Sequence, residues 1–180
     1  MIEHEKGALV VKNAQQKELF ADQYLTYLLG KEMFAMKIVR IKEIIEFGEI
    51  TSIPLMPAFI SGVINLRGAV VPVIDLALRF GRAASQIGRR TCIVIIESWF
   101  GESKQDIGIV VDAVSAVLEI PLDQIANTPH FGTQLRADFI LGMAKIAGRF
   151  VVILDIDQVL SIDEMSQLVQ LAQQDPSETQ

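Results

Sequence analysis

Residues 58–76 read AFISGVINLRGAVVPVIDL, and the fold turns on how that stretch divides. Phe59, Ile60, Val63 and Ile64 stand at helix-like spacing, which predicts a helical turn over 58–64. Asn65-Leu66-Arg67-Gly68 reads as a polar turn, with Gly68 where the chain must reverse, since glycine enters positive φ without steric cost. Residues 69–76 form an almost unbroken apolar run, as expected of a strand covered on both faces. A long cation is thereby presented at a turn between two apolar walls. That arrangement suits a docking surface rather than a reaction centre.

Upstream, residues 1–18 read as a flexible lead-in. From Leu19 the pattern becomes that of a strand: Tyr24, Thr26 and Leu28 alternate with Leu25, Tyr27 and Leu29. Gly30-Lys31 predicts a two-residue hairpin turn into a second strand, Glu32 to Met36. In residues 37–47 the isoleucines Ile38, Ile41 and Ile44 recur every third position, which predicts a short helix running into a strand. Pro54 and Pro57 bracket the loop that leads to the central stretch.

Downstream, a helical turn is expected over 77–80, then a polar, basic loop over 81–90. Thr91 to Glu97 predicts a strand, residues 98–105 a hairpin loop carrying Trp99, and 106–111 and 114–120 two more strands. Trp99 is expected to fold back over a barrel end. A loop over 121–132 precedes a hairpin, Phe139 to Ile146 and Arg149 to Asp155. Ser161-Ile162-Asp163-Glu164 matches a capping box, and Ile162, Met165 and Leu168 continue an apolar stripe, so residues 162–173 predict an amphipathic helix. Residues 175–180 read as a disordered tail. Many short strands with few helices indicate an all-β barrel or sandwich. No internal repeat is evident.

The bulk properties narrow the function. The 180 residues suffice for one domain with a real core, and about half are apolar. No apolar run reaches the roughly 18 residues of a membrane span, and the polar N-terminus does not read as a secretory signal. One cysteine, Cys92, permits no internal disulfide and fits a reducing cytoplasm. Of the 22 acids, six lie in residues 155–180, which hold no Lys or Arg; the rest of the chain balances its 16 bases. A neutral body argues against nucleic acid as the main partner. Phosphate-binding glycine motifs and a nucleophile elbow are absent. His4 and His130, the two histidines, have no Cys, Asp or Glu arrangement that would make a metal site. Cys92 reads as buried mid-strand, and Asp75 and Asp112 as acceptors at strand ends.

Residues 59–68, followed by Val70-Val71-Pro72-Val73-Ile74-Asp75-Leu76, resemble the signature of the CheW family of bacterial chemotaxis coupling proteins. Ile41-Lys42-Glu43-Ile44, Ile107 to Val114 and Asp155 to Met165 agree at the expected distances, so the resemblance spans residues 19–170. It implies two intertwined five-stranded SH3-like β-barrels with a C-terminal amphipathic helix, in a domain over 19–174. It further implies a non-catalytic, cofactor-free, cytoplasmic adaptor that couples transmembrane chemoreceptors to a CheA-type histidine kinase at receptor arrays. By position, Ile41, Glu43, Ile44, Gly62, Asn65 and Arg67 would contact the receptor's hairpin tip. Ile125 and Phe131 would contact the kinase regulatory domain. Ala126 stands where relatives often carry Arg, and Lys37 where they often carry a capping Asp. For Arg67 a turn-stabilising bond within the barrel is the competing role. At the level of function, the alternatives are the same adaptor role in a type IV pilus or similar pathway, and a small-molecule (purine) binding barrel.

Overall fold

Ten strands follow one another with little helix between them in the computed structural model, which describes residues 22–100, 102–127 and 135–160. The strands are β1 (Asp22–Leu29), β2 (Glu32–Lys37), β3 (Ile41–Glu46), β4 (Ile60–Leu66), β5 (Ala69–Asp75), β6 (Cys92–Phe100), β7 (Ser103–Val111), β8 (Ala113–Ile120), β9 (Ile140–Ile146) and β10 (Arg149–Leu154). Among the described residues two short α-helices, α1 (Leu76–Arg79) and α2 (Ile156–Leu160), follow β5 and β10. The lead-in 1–18, His130, Phe131 and the helix expected over 162–173 lie outside the described residues.

The strands form two five-stranded sheets, in the orders β8-β1-β2-β10-β9 and β3-β6-β7-β5-β4. Each contains one parallel pair, β2 with β10 and β5 with β7. Each curls until its edges approach. Thr51, just beyond β3, exchanges two 2.9 Å backbone hydrogen bonds with Val63 of β4, and Ala126, beyond β8, pairs likewise with Met143 of β9. The sheets are therefore barrels, and the second (β3–β7) is inserted between the two parts of the first.

Three apolar cores result. Tyr24, Ala35, Ile120, Val151 and Ile153 fill the first barrel, and Val71, Val73, Ile93, Ile95 and Val110 fill the second. The largest lies between the barrels and draws on both, including Tyr27, Phe34, Ile74, Ile96, Ile109, Phe139 and Leu160. Strands such as β5 and β6 consequently bury both faces, as the apolar run 69–76 implies.

A repeat that inspection of the sequence does not reveal is plain in the structure, at a spacing of 80 residues. Phe59, Ile60, Gly62, Gly68, Val71 and Asp75 match Phe139, Ile140, Gly142, Gly148, Val151 and Asp155. The matched positions do matched work. Asp75 N and Asp155 N donate to Phe59 O and Phe139 O, each at 2.8 Å. Arg67-Gly68 and Ala147-Gly148 both turn through positive φ. Side chains for Gly62 and Gly142 would strike the backbone carbonyls of Thr51 and Ala126. Only a few identities survive between the halves, which hides the repeat from the eye.

The helix expected over 58–64 is strand β4 instead. Its register shifts between Ile60 and Gly62, so Ile60 and Val63 oppose Ile74 and Pro72 on the same face. A β-bulge has turned a period of two into a spacing of three. β3 repeats the device: its register shifts across Lys42, so Ile41 and Ile44 oppose Ile96 and Val94. Here the expected switch from helix to strand does occur, from a 3-10 turn (Ile38–Arg40) into β3 at Ile41.

The expected 98–105 loop is also strand. β6 and β7 continue pairing to Phe100 and Ser103, opposing Trp99 to Lys104. Trp99 does not fold back; it is 57% exposed, with Lys104 Nζ 4.9 Å from its ring centroid. Cys92 is the first residue of β6, partly exposed, rather than buried mid-strand.

Candidate docking corner

The turn between β4 and β5 presents Arg67. Arg67 and Gly68 have φ of 51° and 86°, the pair of positive values that a tight hairpin requires. Asn65 Oδ1 accepts the Gly68 N–H at 2.9 Å and pins the turn. Arg67 is thereby held out, its side chain 74% exposed. Its guanidinium donates to Glu43 Oε2 across the mouth of the second barrel. Glu43 reaches that position because of the bulge at Lys42, which pairs it with Ile95, whose side chain lies in the second barrel's core. Glu43 Oε1 is occluded and accepts no hydrogen bond among the described residues.

The six expected receptor-contacting residues therefore divide. Glu43, Asn65 and Arg67 form one polar corner. Ile44 stands exposed on the other face of β3, and Ile41 packs partly buried on the inter-barrel core. Gly62 is buried, and its backbone lies under Ile50 and Thr51, where a side chain would not fit. Its place is beneath the surface rather than on it. Val70, which pairs with Asn65 and is 42% exposed, extends the corner with an apolar contact. Strand alternation after the turn was the sequence signal for it.

Charges around β3 are tied in place. Lys42 donates to both carboxylate oxygens of Asp106 at 3.0 Å, and that hydrogen bond raises its ammonium pKa. Arg40 bonds Asp157 at 2.6 Å and the Glu97 carbonyl at 2.9 Å, linking the 3-10 turn to α2 and β6. Lys37, at the cap position of that 3-10 turn, makes no capping bond and pairs instead with Asp22 at 3.1 Å. Beside it opens a groove of about 380 Å³, lined by Val39, Leu141, Leu154 and Ile156 with Lys37, Arg40, Asp155 and Asp157 around them. Sequence reasoning did not single out Val39, which is 81% exposed.

On the first barrel, Ile125 follows a 3-10 turn (Leu122–Gln124) and packs partly buried over Gly142, as Ile50 packs over Gly62. It lies on the other barrel from Arg67. The strand-end carboxylates act as acceptors, as expected. Asp75 accepts from Leu78 N, Ser85 N and Ser85 Oγ; Asp112 accepts from Gly30 N. Among the described residues no group of three His, Cys, Asp or Glu could hold a metal ion. No described helix is long and apolar enough to cross a membrane.

The CheW-like domain family matches residues 23–164 of this chain. The chain belongs to the CheW-like domain family. A chemotaxis protein CheW from Klebsiella aerogenes is 34% identical over 149 residues, covering 83% of this chain and 87% of the relative. One from Rhizobium meliloti is 30% identical over 142 residues, covering 79% and 89%. Among solved structures, the scaffolding protein TtCheW from Thermoanaerobacter tengcongensis superimposes with a TM-score of 0.71 at 31% identity, covering 81% of this chain and 91% of that one. The two five-stranded barrels are thus the CheW-like fold.

Proposed function

We propose that this protein is a non-catalytic chemotaxis adaptor that couples a chemoreceptor's cytoplasmic hairpin tip to the regulatory domain of a CheA-type histidine kinase. The observation that carries this reading is the corner at the β4–β5 turn. An arginine three-quarters exposed is held in place by Glu43, with exposed apolar side chains at Ile44 of β3 and Val70 of β5. Apolar contacts at Ile44 and Val70 suit one face of a helix, and the forked Arg67 donors suit its carboxylates or carbonyls. Ile41 is partly buried on the inter-barrel core, and Gly62 lies beneath Ile50 and Thr51. Ile125, on the first barrel, and Phe131, by its family position alone, are assigned to the kinase contact. The curated relatives named chemotaxis protein CheW support the pathway.

Binding of the full-length protein to a receptor hairpin fragment and to the kinase regulatory domain tests the proposal. Both should bind, and Arg67→Glu should weaken the receptor arm alone. Equal binding by parent and variant would remove Arg67 from the interface. Failure to bind either partner would remove the adaptor role.

A further inference from the structure

The 80-residue repeat relates the two halves, and the Arg79 side chain sits where they meet. The Arg79 guanidinium lies 5.2 Å from the ring centroid of Phe59 and 4.7 Å from that of Phe139. Those phenylalanines are repeat equivalents. Arg79 Nε also donates to Val159 O at 3.0 Å, and Val159 is the residue 80 positions after Arg79. Arg79 thus binds its own counterpart and both copies of a repeated aromatic.

The halves differ at the position of Arg79. One half carries Arg and the other a fully buried Val, while Arg136, also over the Phe139 ring at 4.6 Å, is paired with Asp138. A guanidinium is planar, so its position and tilt relative to two rings and a carbonyl are directional. The surrounding inter-barrel core is apolar, and apolar burial is not directional. An aromatic run continues from this point through the inter-barrel core, by way of Phe139–Phe80 at 6.0 Å, Phe80–Phe34 at 5.7 Å and Phe34–Tyr27 at 6.1 Å.

We infer that Arg79 is a positioning residue that sets the orientation of one barrel against the other. It thereby fixes the spacing between the Arg67 corner and the face around Ile125. The consequence for coupling rests on the adaptor reading; the geometric claim does not.

Pulsed EPR distances test it in the full-length chain, with spin labels at Gln23→Cys on the first barrel and Glu102→Cys on the second, in a Cys92→Ser background. With Arg79 a single narrow distribution is expected. Arg79→Lys keeps the charge and loses the plane, and should broaden the distribution at least twofold. Phe59→Leu, which removes one ring and leaves the cation, should broaden it less and serves if Arg79→Lys does not fold. Distributions as narrow as the parent's in the folded variants overturn the inference and leave the adaptor reading intact. In binding assays, Arg79→Lys should hold each partner separately within twofold of the parent. Assembly of the three-component complex should fall at least tenfold. If the distances broaden while even the parent binds neither partner, the adaptor reading fails and the positioning role stands.

Discussion

Glu43 and Arg67 belong to opposite ends of the β3-β6-β7-β5-β4 sheet and meet as an ion pair across the mouth of the barrel that the sheet forms. The pair is a contact between sheet edges, formed because the sheet closes. With Arg67 so exposed, its contribution to stability is about 0–1 kcal/mol. Arg67→Glu should therefore leave the unfolding midpoint within a few degrees of the parent while weakening receptor-fragment binding. A collapse of the midpoint would assign Arg67 to the fold instead.

Gly62 makes a contrasting prediction. Its φ is +144°, and an added Cβ would collide with the Thr51 carbonyl that closes the second barrel. Gly62→Ala should cost at least about 2–3 kcal/mol in urea unfolding. Gly68→Ala, at φ +86° but with open space around it, should cost only about 1 kcal/mol. Equal costs would show that strain alone matters at both sites.

Tyr27 governs the alkaline limb of stability. Its hydroxyl is buried in the inter-barrel core without a hydrogen-bond partner among the described residues, and burial pushes its pKa well above the ordinary 10.0. The folded state keeps the proton where the unfolded state releases it. Stability is therefore full below pH about 10 and falls above it, by up to about 1.4 kcal/mol per pH unit for this one group. Tyr27→Phe should flatten that fall and change stability little at pH 7. Chemical unfolding between pH 8 and 11 measures both.

The single tryptophan supplies an optical test of the corrected hairpin. Trp99 is more than half exposed on β6, so acrylamide should quench its emission in the native protein nearly as well as in urea. Strong protection in the native state would restore the reading in which Trp99 folds over a barrel end. Trp99→Ala should cost less than about 1 kcal/mol.

Much of the strand content was legible because alternation and turn chemistry are local. Gly30-Lys31 and Ala147-Gly148 join the hairpins expected there. What local reading lost were the bulges. At Lys42 and Ser61 an inserted residue gives the apolar positions a helix-like spacing, and only the partner strand reveals the shift. The site was legible in part. Arg67, Asn65 and Ile44 could be found from the turn and the family pattern. The Glu43–Arg67 pair could not, because it depends on barrel closure. Arg79 escaped for a related reason: three of its partners lie 20, 60 and 80 residues away along the chain, and only the packing of the two halves collects them.

The nesting of the barrels sets an order of events during synthesis. All five strands of the inner barrel lie within residues 41–111, so it can close once that span has left the ribosome. The outer barrel cannot, because β2 finds its parallel neighbour only in β10, near residue 150. Until then β2 has no β10 beside it, and its Phe34 and Met36 side chains are open to misassociation. Pulsed hydrogen exchange during refolding should protect β6–β7 amides before those of β1–β2. Pairing with β10 ends that exposure.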